Sequence, residues 1–401
     1  MKTKKNGAAG QALVLVTLSL LVLTGVVGLA IDMGYMRYTK RRLQTAADSA
    51  AVAGASELKI GNYNAAALSD SKSNGFEDGV NGVTVNAVSP PIDLPFSNSP
   101  NKKNYVEVTV QQDAPTFFMR IFGVKKSTLT ARAVAELGSS RGCIYALALL
   151  GGITVRGAVN APGCGVVDNA LLSIGGGCIT ASSIGVVLRL IGGGCTNPQP
   201  VLGIAPSTDP LAYLNPPRVP GGGCNPTVDI DSNKGNGNRP TTLSPGCYRG
   251  IRIHNTNTAQ VNFQAGVYYI NGGPGLQFAG SGDINGNGVI FYVTNGAPVN
   301  MNTTGAVNLS APTNSVVAGV PGGILIYQDR GDLQNASING GLNLNGALYF
   351  PGAQLRLGGN LNSNYTIVVA QVIQFNGNFG IGSDYTSLPE GSPVKAAVLV
   401  Q

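Results

Sequence analysis

The side chains best equipped for chemistry lie in the C-terminal two thirds of the chain. Asp329 and Asp332 flank Arg330 in "YQDRGDL". Two carboxylates with a guanidinium between them are the minimum equipment for cleaving a glycosidic bond, one acid donating a proton while charge develops against its partners. Only nine acids serve residues 141–401 (Asp168, Asp209, Asp229, Asp231, Asp283, Asp329, Asp332, Asp384 and Glu390). At that density a solvated turn is the simpler reading of the pair. The Arg330–Asp332 triplet also spells Arg-Gly-Asp, a match short enough to arise by chance. His254, the chain's single histidine, has no evident partner in "GIRIHN" and reads as structural.

"DIDSNKGNGN", residues 229–238, places Asp229, Asp231 and Asn233 at the first, third and fifth positions of a calcium loop. The pattern then breaks, because Lys234 stands where such loops need Gly and Pro240 where they need the bidentate Glu. These three residues are a weak calcium candidate. The sequence calls for no cofactor and no catalytic residue, since phosphate loop, nucleophile elbow and dinucleotide fingerprint are all missing.

The six cysteines all fall between Cys143 and Cys247, with no Cys-x-x-Cys among them. With one histidine in the chain, zinc is poorly supported and disulfides are expected. Of fifteen possible pairings, the sequential one is favoured: Cys143 with Cys164, Cys178 with Cys195, and Cys224 with Cys247. Each would close a loop of about twenty residues, stabilising by about 3 kcal/mol in the chain-entropy model. Such bonds persist outside the cytoplasm.

The elements that carry these residues follow from composition. The chain has 401 residues with 57 Gly, no Trp and only 11% charged residues. Glycine this abundant without a three-residue period, beside a 43% apolar share, predicts a folded, turn-rich, mainly β chain. The net charge of +7 divides as +4 over residues 1–58, +1 over 59–140 and +2 over 141–401. The excess thus flanks an apolar run and forms no basic patch on the body, which argues against a nucleic-acid partner.

That run, Ala12 to Ile31, is twenty residues without a charge, enough to span a bilayer as a helix. Lys2, Lys4 and Lys5 precede it, and Gly28 and Ala30 have the spacing of a signal-peptidase site; its length favours a retained anchor over cleavage. Charge on the two sides is nearly balanced, so the cysteines decide the orientation: amino terminus in the cytoplasm, body exported.

No proline precedes Pro90, so the helix is expected to run on to about Leu58 through "RRLQTAADSAAVAGASEL". Ala46, Ala47, Ala50, Ala53 and Gly54 give that stretch high helix propensity and little bulk. Two neighbours suit it: a second slim helix from a partner, favoured here, or its own domain.

"GQALVLVTLSLLVLTGVVGLAIDMGYMRYTKRRLQTAADSAAVAGA", Gly10 to Ala55, resembles the N-terminal region of TadG-like proteins of the Tad/Flp pilus-assembly system. Residues 105–137 are similar to the segment that follows in these proteins, and several stretches of 209–359 resemble a body that accompanies some of them. The resemblance implies a bacterial inner-membrane protein, mostly periplasmic or surface-exposed, that assembles or anchors thin pili beside other pilus-assembly or pilin-like helices. No acidic residue lies five positions after Gly7 or Gly10, unlike pilins cut by prepilin peptidase. With no Asp-x-Ser-x-Ser, the von Willebrand A-type domain of better-known members is replaced.

Three regions are therefore expected: the anchor and Ala-rich helix (1–58), a small α/β module (59–140) and a disulfide-braced body (141–401). In the module, "VEVTVQQ" and "STLTARAVAEL" alternate as strands, "APTFFMRIFG" is expected to be a short helix with Phe117, Phe118 and Phe122 in the core, and 86–104 a loop. In the body, short alternating strands recur every nine to thirteen residues between Gly and Asn turns, as from Leu342 to Leu355. A β-solenoid (parallel β-helix-like) of on the order of ten coils is expected, with a β-sandwich as the alternative. The leading expectation is a non-enzymatic, membrane-anchored pilus or envelope component. An adhesin binding glycans or host surfaces is second, and a β-helical carbohydrate-active enzyme third.

Overall fold

The computed structural model describes residues 8–59, 61–93, 95–99, 102–139, 142–234, 241–255 and 260–401. They form two compact units, one of residues up to Gly138 with Ala396–Gln401, the other Ser139–Lys395.

In the first unit, helix α1 (Ala8–Ser56) is unbroken for 49 residues. Helix α2 (Tyr63–Ser73) starts where the Asn62 side chain accepts the amides of Asn64 and Ala65, a side-chain N-cap. Strands β1 (Val83–Val88), β2 (Tyr105–Pro115) and β3 (Lys126–Ser139) pair antiparallel, with Val85 opposite Val110 and Val108 opposite Ala133. β1 occupies the start of the stretch expected to be loop. Its Val83, Val85 and Ala87 alternate inward over too few residues to stand out beside the following prolines. Residues 396–399, which the repeat pattern assigns to the body, lie in the fourth strand of this sheet (Lys395–Leu399), and just beyond it the Val400 amide donates to Val134 O at 2.9 Å.

One face of the sheet carries Val106, Val108, Val110, Ala131, Ala133 and Ala135, all fully buried. Against it lie Leu43, Ala46, Ala47, Ala50, Ala51 and Ala55 of α1. The Ala-rich stripe therefore covers its own sheet and α2, which corrects the expectation that Ala46, Ala47, Ala50 and Gly54 meet a partner helix; Ala53 is half-buried. The physical reason is mutual: a sheet face of Val and Ala is flat and thin, so a helix without side-chain bulk can approach closely and still bury it.

The second unit is a parallel solenoid. Strand pairs register coil upon coil: Val261, Ile284 and Val307 stack in one column, and Ile253, Phe278, Met301 and Ile338 in another. Coils are 23 residues deep between Asn262, Asn285 and Asn308 and shorten to 18 between Arg356 and Gln374. Among the described residues the ladders of this unit are parallel, which rules for the solenoid over the sandwich, whose sheets are antiparallel. Period-two alternation turns Leu355 and Leu357 inward and Arg356 outward.

The stack is not wound in sequence order. Val368 pairs with Ile144 and Ile373 with Ile153, so the last coil sits on the first. From there the early coils run one way to Val201–Leu202, which pairs with Gly185–Val186. The chain then resumes at the opposite end, where Val228–Asp231 pairs with Ile251–His254, and winds back. At one corner Gly340, Gly359, Gly377 and Gly157 form a column; a Cβ on Gly377 would lie 1.9 Å from Gly359 O, so no other residue fits.

Candidate membrane anchor and body surfaces

The first half of α1 is an unpartnered apolar rod. Leu13, Leu15, Leu18, Leu21, Val22 and Leu29 are all exposed, and this is the helix among the described residues that is long and apolar enough to cross a membrane. Its hydroxyls are satisfied internally: Thr17 donates to Leu13 O and Val14 O, Ser19 to Leu15 O, and Thr24 to Leu20 O and Leu21 O. A segment that enters a membrane would need that.

Asp32 follows directly and is buried. Its carboxylate accepts the amides of Phe117 at 2.8 Å, Phe118 at 2.9 Å and Met119 at 2.7 Å. The Phe118 ring lies against Gly28, where a Cβ would come within 2.6 Å of it, and Tyr35 meets Phe117 edge-on at 5.4 Å. The loop so held contains only a single 3-10 turn, Met119–Phe122, in place of the expected α-helix. Phe117, Phe118 and Phe122 are 55%, 39% and 76% exposed, which corrects their expected place in the core. The strand β2 runs on through Pro115, so the aromatics fall beyond the sheet and beside α1. Sequence reasoning missed the role of Asp32; an acid at the end of an apolar span was the available signal.

Farther along, the Lys40 ammonium and the Gln44 amide donate to the carbonyls of Thr130 and Arg132 on β3, the latter at 3.0 Å. α1 is thereby tied to β3 through backbone groups as well as by the alanine stripe.

In the body, the disulfides are Cys143–Cys164, Cys178–Cys195 and Cys224–Cys247. Cys178 and Cys195 are register partners on adjacent coils, and Asn225 pairs with Tyr248 beside the third bond. Each bond thus joins one coil to the next.

The carboxylates singled out above are engaged. Asp329 accepts from Tyr292 OH at 2.5 Å, and Asp332 from the amides of Gly296 and Gln334. Arg330 donates to Tyr349 OH, Leu211 O and Ala212 O, while Tyr349 OH donates to Asp209 at 2.6 Å. Burial, with the neighbouring Asp209 charge, pushes the Tyr349 phenol far up. This network pins the segment around Leu211 over the tyrosine column Tyr292–Tyr327–Tyr349.

Asp229 and Asp231 stand on a strand in register with Arg252 and His254. Asp229 is bridged by Lys234 at 2.5 Å, so a side-chain ammonium sits where the calcium reading would put the metal. His254 Nδ1 is 3.9 Å from Asp231. The side chain of Asn233 and positions 235–240 lie outside the described residues. Among the described residues no three acids, histidines or cysteines cluster as metal ligands.

A different surface is conspicuous. Asn262, Asn285 and Asn308 form a hydrogen-bonded column along the solenoid, and with Asn287, Asn343 and Asn345 they line an open groove of about 400 Å³.

Comparison with known families agrees with the first unit. A family model described as Flp pilus-assembly, TadE/G-like, matches residues 10–57, and one described as Tad-like Flp pilus-assembly matches 42–135. Residues 10–135, the N-terminal third of the chain, are thus similar to Flp pilus-assembly families. No curated protein and no solved structure matches the chain. The TadE/G-like match covers the apolar rod, Asp32 and the alanine stripe; the Tad-like match continues through α2 and the sheet to Ala135.

Proposed function

We propose that the chain is a non-enzymatic structural component of a Tad/Flp-type pilus or envelope machinery. α1 crosses the inner membrane with its amino terminus in the cytoplasm, and the two folded units stand on the far side. The observation that carries this reading is the division of α1: one continuous helix is apolar through Ile31, exposed but for Gly28 under Phe118, and then locked by Asp32 and the alanine stripe into a folded unit. Three disulfides in the body favour the oxidising side. The engagement of Asp329, Arg330 and Asp332 in a loop-fastening network favours a structural body over a hydrolase. A reporter fused after Gln401, read for export, tests it together with non-reducing peptide mapping. A cytosolic carboxyl terminus with free thiols would overturn it.

The asparagine groove favours a second role, adhesion. Columns of amide side chains offer donors and acceptors at a regular spacing, suited to sugar hydroxyls. Glycan-array binding by the full chain, lost on Asn285→Leu with Asn308→Leu, would support it; binding unaffected by the pair would place any glycan site elsewhere.

A further inference from the structure

We propose that the loop Thr116–Val124 is a second membrane contact, its apolar tip entering the interface of the bilayer that α1 crosses. The inference rests on the anchored reading above.

Four observations converge. The first is level. Phe118 packs on Gly28, three residues inside the end of the uncharged run, so the loop reaches back along the rod by about 4.5 Å from Ile31 at the rise of an α-helix. The second is exposure. Ile121 and Phe122 are 80% and 76% exposed and Phe117 55%, a patch continuous with the apolar rod, whose own solvent is lipid.

The third is backbone satisfaction, which a non-helical segment needs in order to enter an apolar medium. Asp32 takes the amides of residues 117 to 119. The turn's own carbonyls take those of Ile121, Gly123 and Val124, and the Thr116 amide donates to Lys125 O. The Thr116 hydroxyl donates to Val124 O. The fourth is charge. Arg120 and Lys125 are exposed at the margins of the patch, and Arg37 and Arg41 are exposed one to three turns beyond Asp32 on α1. Exposed cations in and beyond an apolar tip match a phospholipid headgroup layer, with long stems that can reach up to phosphate.

Asp32 is then a positioning residue. It holds the loop in register with the span, so that the first unit meets the membrane at two points and is fixed in tilt, where a lone helix would leave it free to swing.

The chain has no tryptophan, so a single one reports its own surroundings. Full-length Phe122→Trp, Ile121→Trp and, as a span reporter, Leu21→Trp are reconstituted in phosphatidylcholine–phosphatidylglycerol vesicles with and without lipids brominated either near the headgroup end of the chain, for the loop positions, or deep in it, for Leu21. The expected result is blue-shifted emission at 121 and 122 that loses most of its intensity to bromine. Quenching at Leu21 alone, with water-like emission from both loop positions, would overturn the loop contact and leave the anchor standing. Blue-shifted loop emission that bromine does not quench would also overturn it, assigning the patch to a protein neighbour. No quenching at Leu21 would remove the anchored reading and this inference with it.

Discussion

Gly54 of α1 lies against Val106 of β2: a Cβ at Gly54 would stand 3.1 Å from Val106 Cγ1 and 3.2 Å from the Tyr63 carbonyl oxygen. The helix, the sheet and the start of α2 converge there, and the absence of one carbon sets how close they come. Ala50, one turn earlier, is fully buried against the same face.

Gly54→Leu and Ala50→Leu are therefore expected to unfold or loosen the first unit rather than detach a partner. Overpacking of this kind costs about 1–3 kcal/mol. Thermal unfolding of the full chain in detergent checks it, with the exposed Ser56→Leu as the control that leaves the midpoint unchanged. Equal midpoints for Gly54→Leu and Ser56→Leu would show that the interface yields.

The alanine stripe is also where sequence and structure part. Its residue types specify close approach by a flat neighbour, and both a helix and a Val/Ala sheet are flat, so identity of the neighbour was not written in residues 41–58. It was written in Val106, Val108, Ala131 and Ala133, whose alternation read clearly as strands but whose small size was not set against the helix. The solenoid was legible because Gly and Asn recur at corners and apolar residues alternate between them. Its winding order was not, because the pairing of Val368 with Ile144 joins residues with no shared local signal. Phe117 and Phe122 misled for a related reason: hydrophobicity specifies removal from water without naming what does the removing, a core or, as proposed above, a bilayer.

The disulfides should matter most where the stack ends. Cys178–Cys195 fastens the coil that leads to Val201–Leu202, and its 17-residue separation corresponds to about 3 kcal/mol of denatured-state restriction. Cys178→Ser with Cys195→Ser is expected to raise amide exchange across 189–202 sharply. Protection around Phe263, Phe278 and Phe291, in the interior of the stack, should persist. Uniform loss of protection over the whole body would mean that the coils unfold as one cooperative block.

Glu107 gives the first unit an acid-sensitive lock. It is buried beside Arg132, whose Nε donates at 3.0 Å and whose second amino group donates at 3.2 Å. Burial alone would raise the carboxyl, but the Arg132 hydrogen bonds and charge and the amides of Asp93 and Ile92 outweigh it and hold the pKa below the ordinary glutamate value. A depressed acid contributes stability above its unfolded-state value, and that contribution is lost as pH falls through the folded value. Unfolding midpoints should therefore hold near neutrality and drop below about pH 4, the unfolded glutamate range. Glu107→Gln should lower neutral stability by about 1.5–3 kcal/mol, the range for hydrogen bonds to charged groups, and flatten the acid limb. Parallel acid limbs in the two proteins would assign the acid sensitivity to other carboxyls.

Arg330 decides whether the Asp329–Asp332 turn is a fastening or a reaction site. Its guanidinium closes three hydrogen bonds, to Tyr349 OH at 3.0 Å, Leu211 O at 3.0 Å and Ala212 O at 2.9 Å, and so fastens Leu211, fully buried, over the tyrosine column. Arg330→Ala leaves those acceptors without their donor, at a cost of about 1–3 kcal/mol for a group that stays buried. Arg330→Lys supplies one charge without the planar fork and should restore little of it. The expected readout is local: faster proteolysis between residues 203 and 227 with the coil stack intact, and with Asp329→Asn giving a smaller change, because Tyr292 can still donate to the remaining carbonyl oxygen. A body that keeps its proteolytic pattern in Arg330→Ala, yet loses turnover of some polysaccharide, would reverse the assignment and make the turn catalytic.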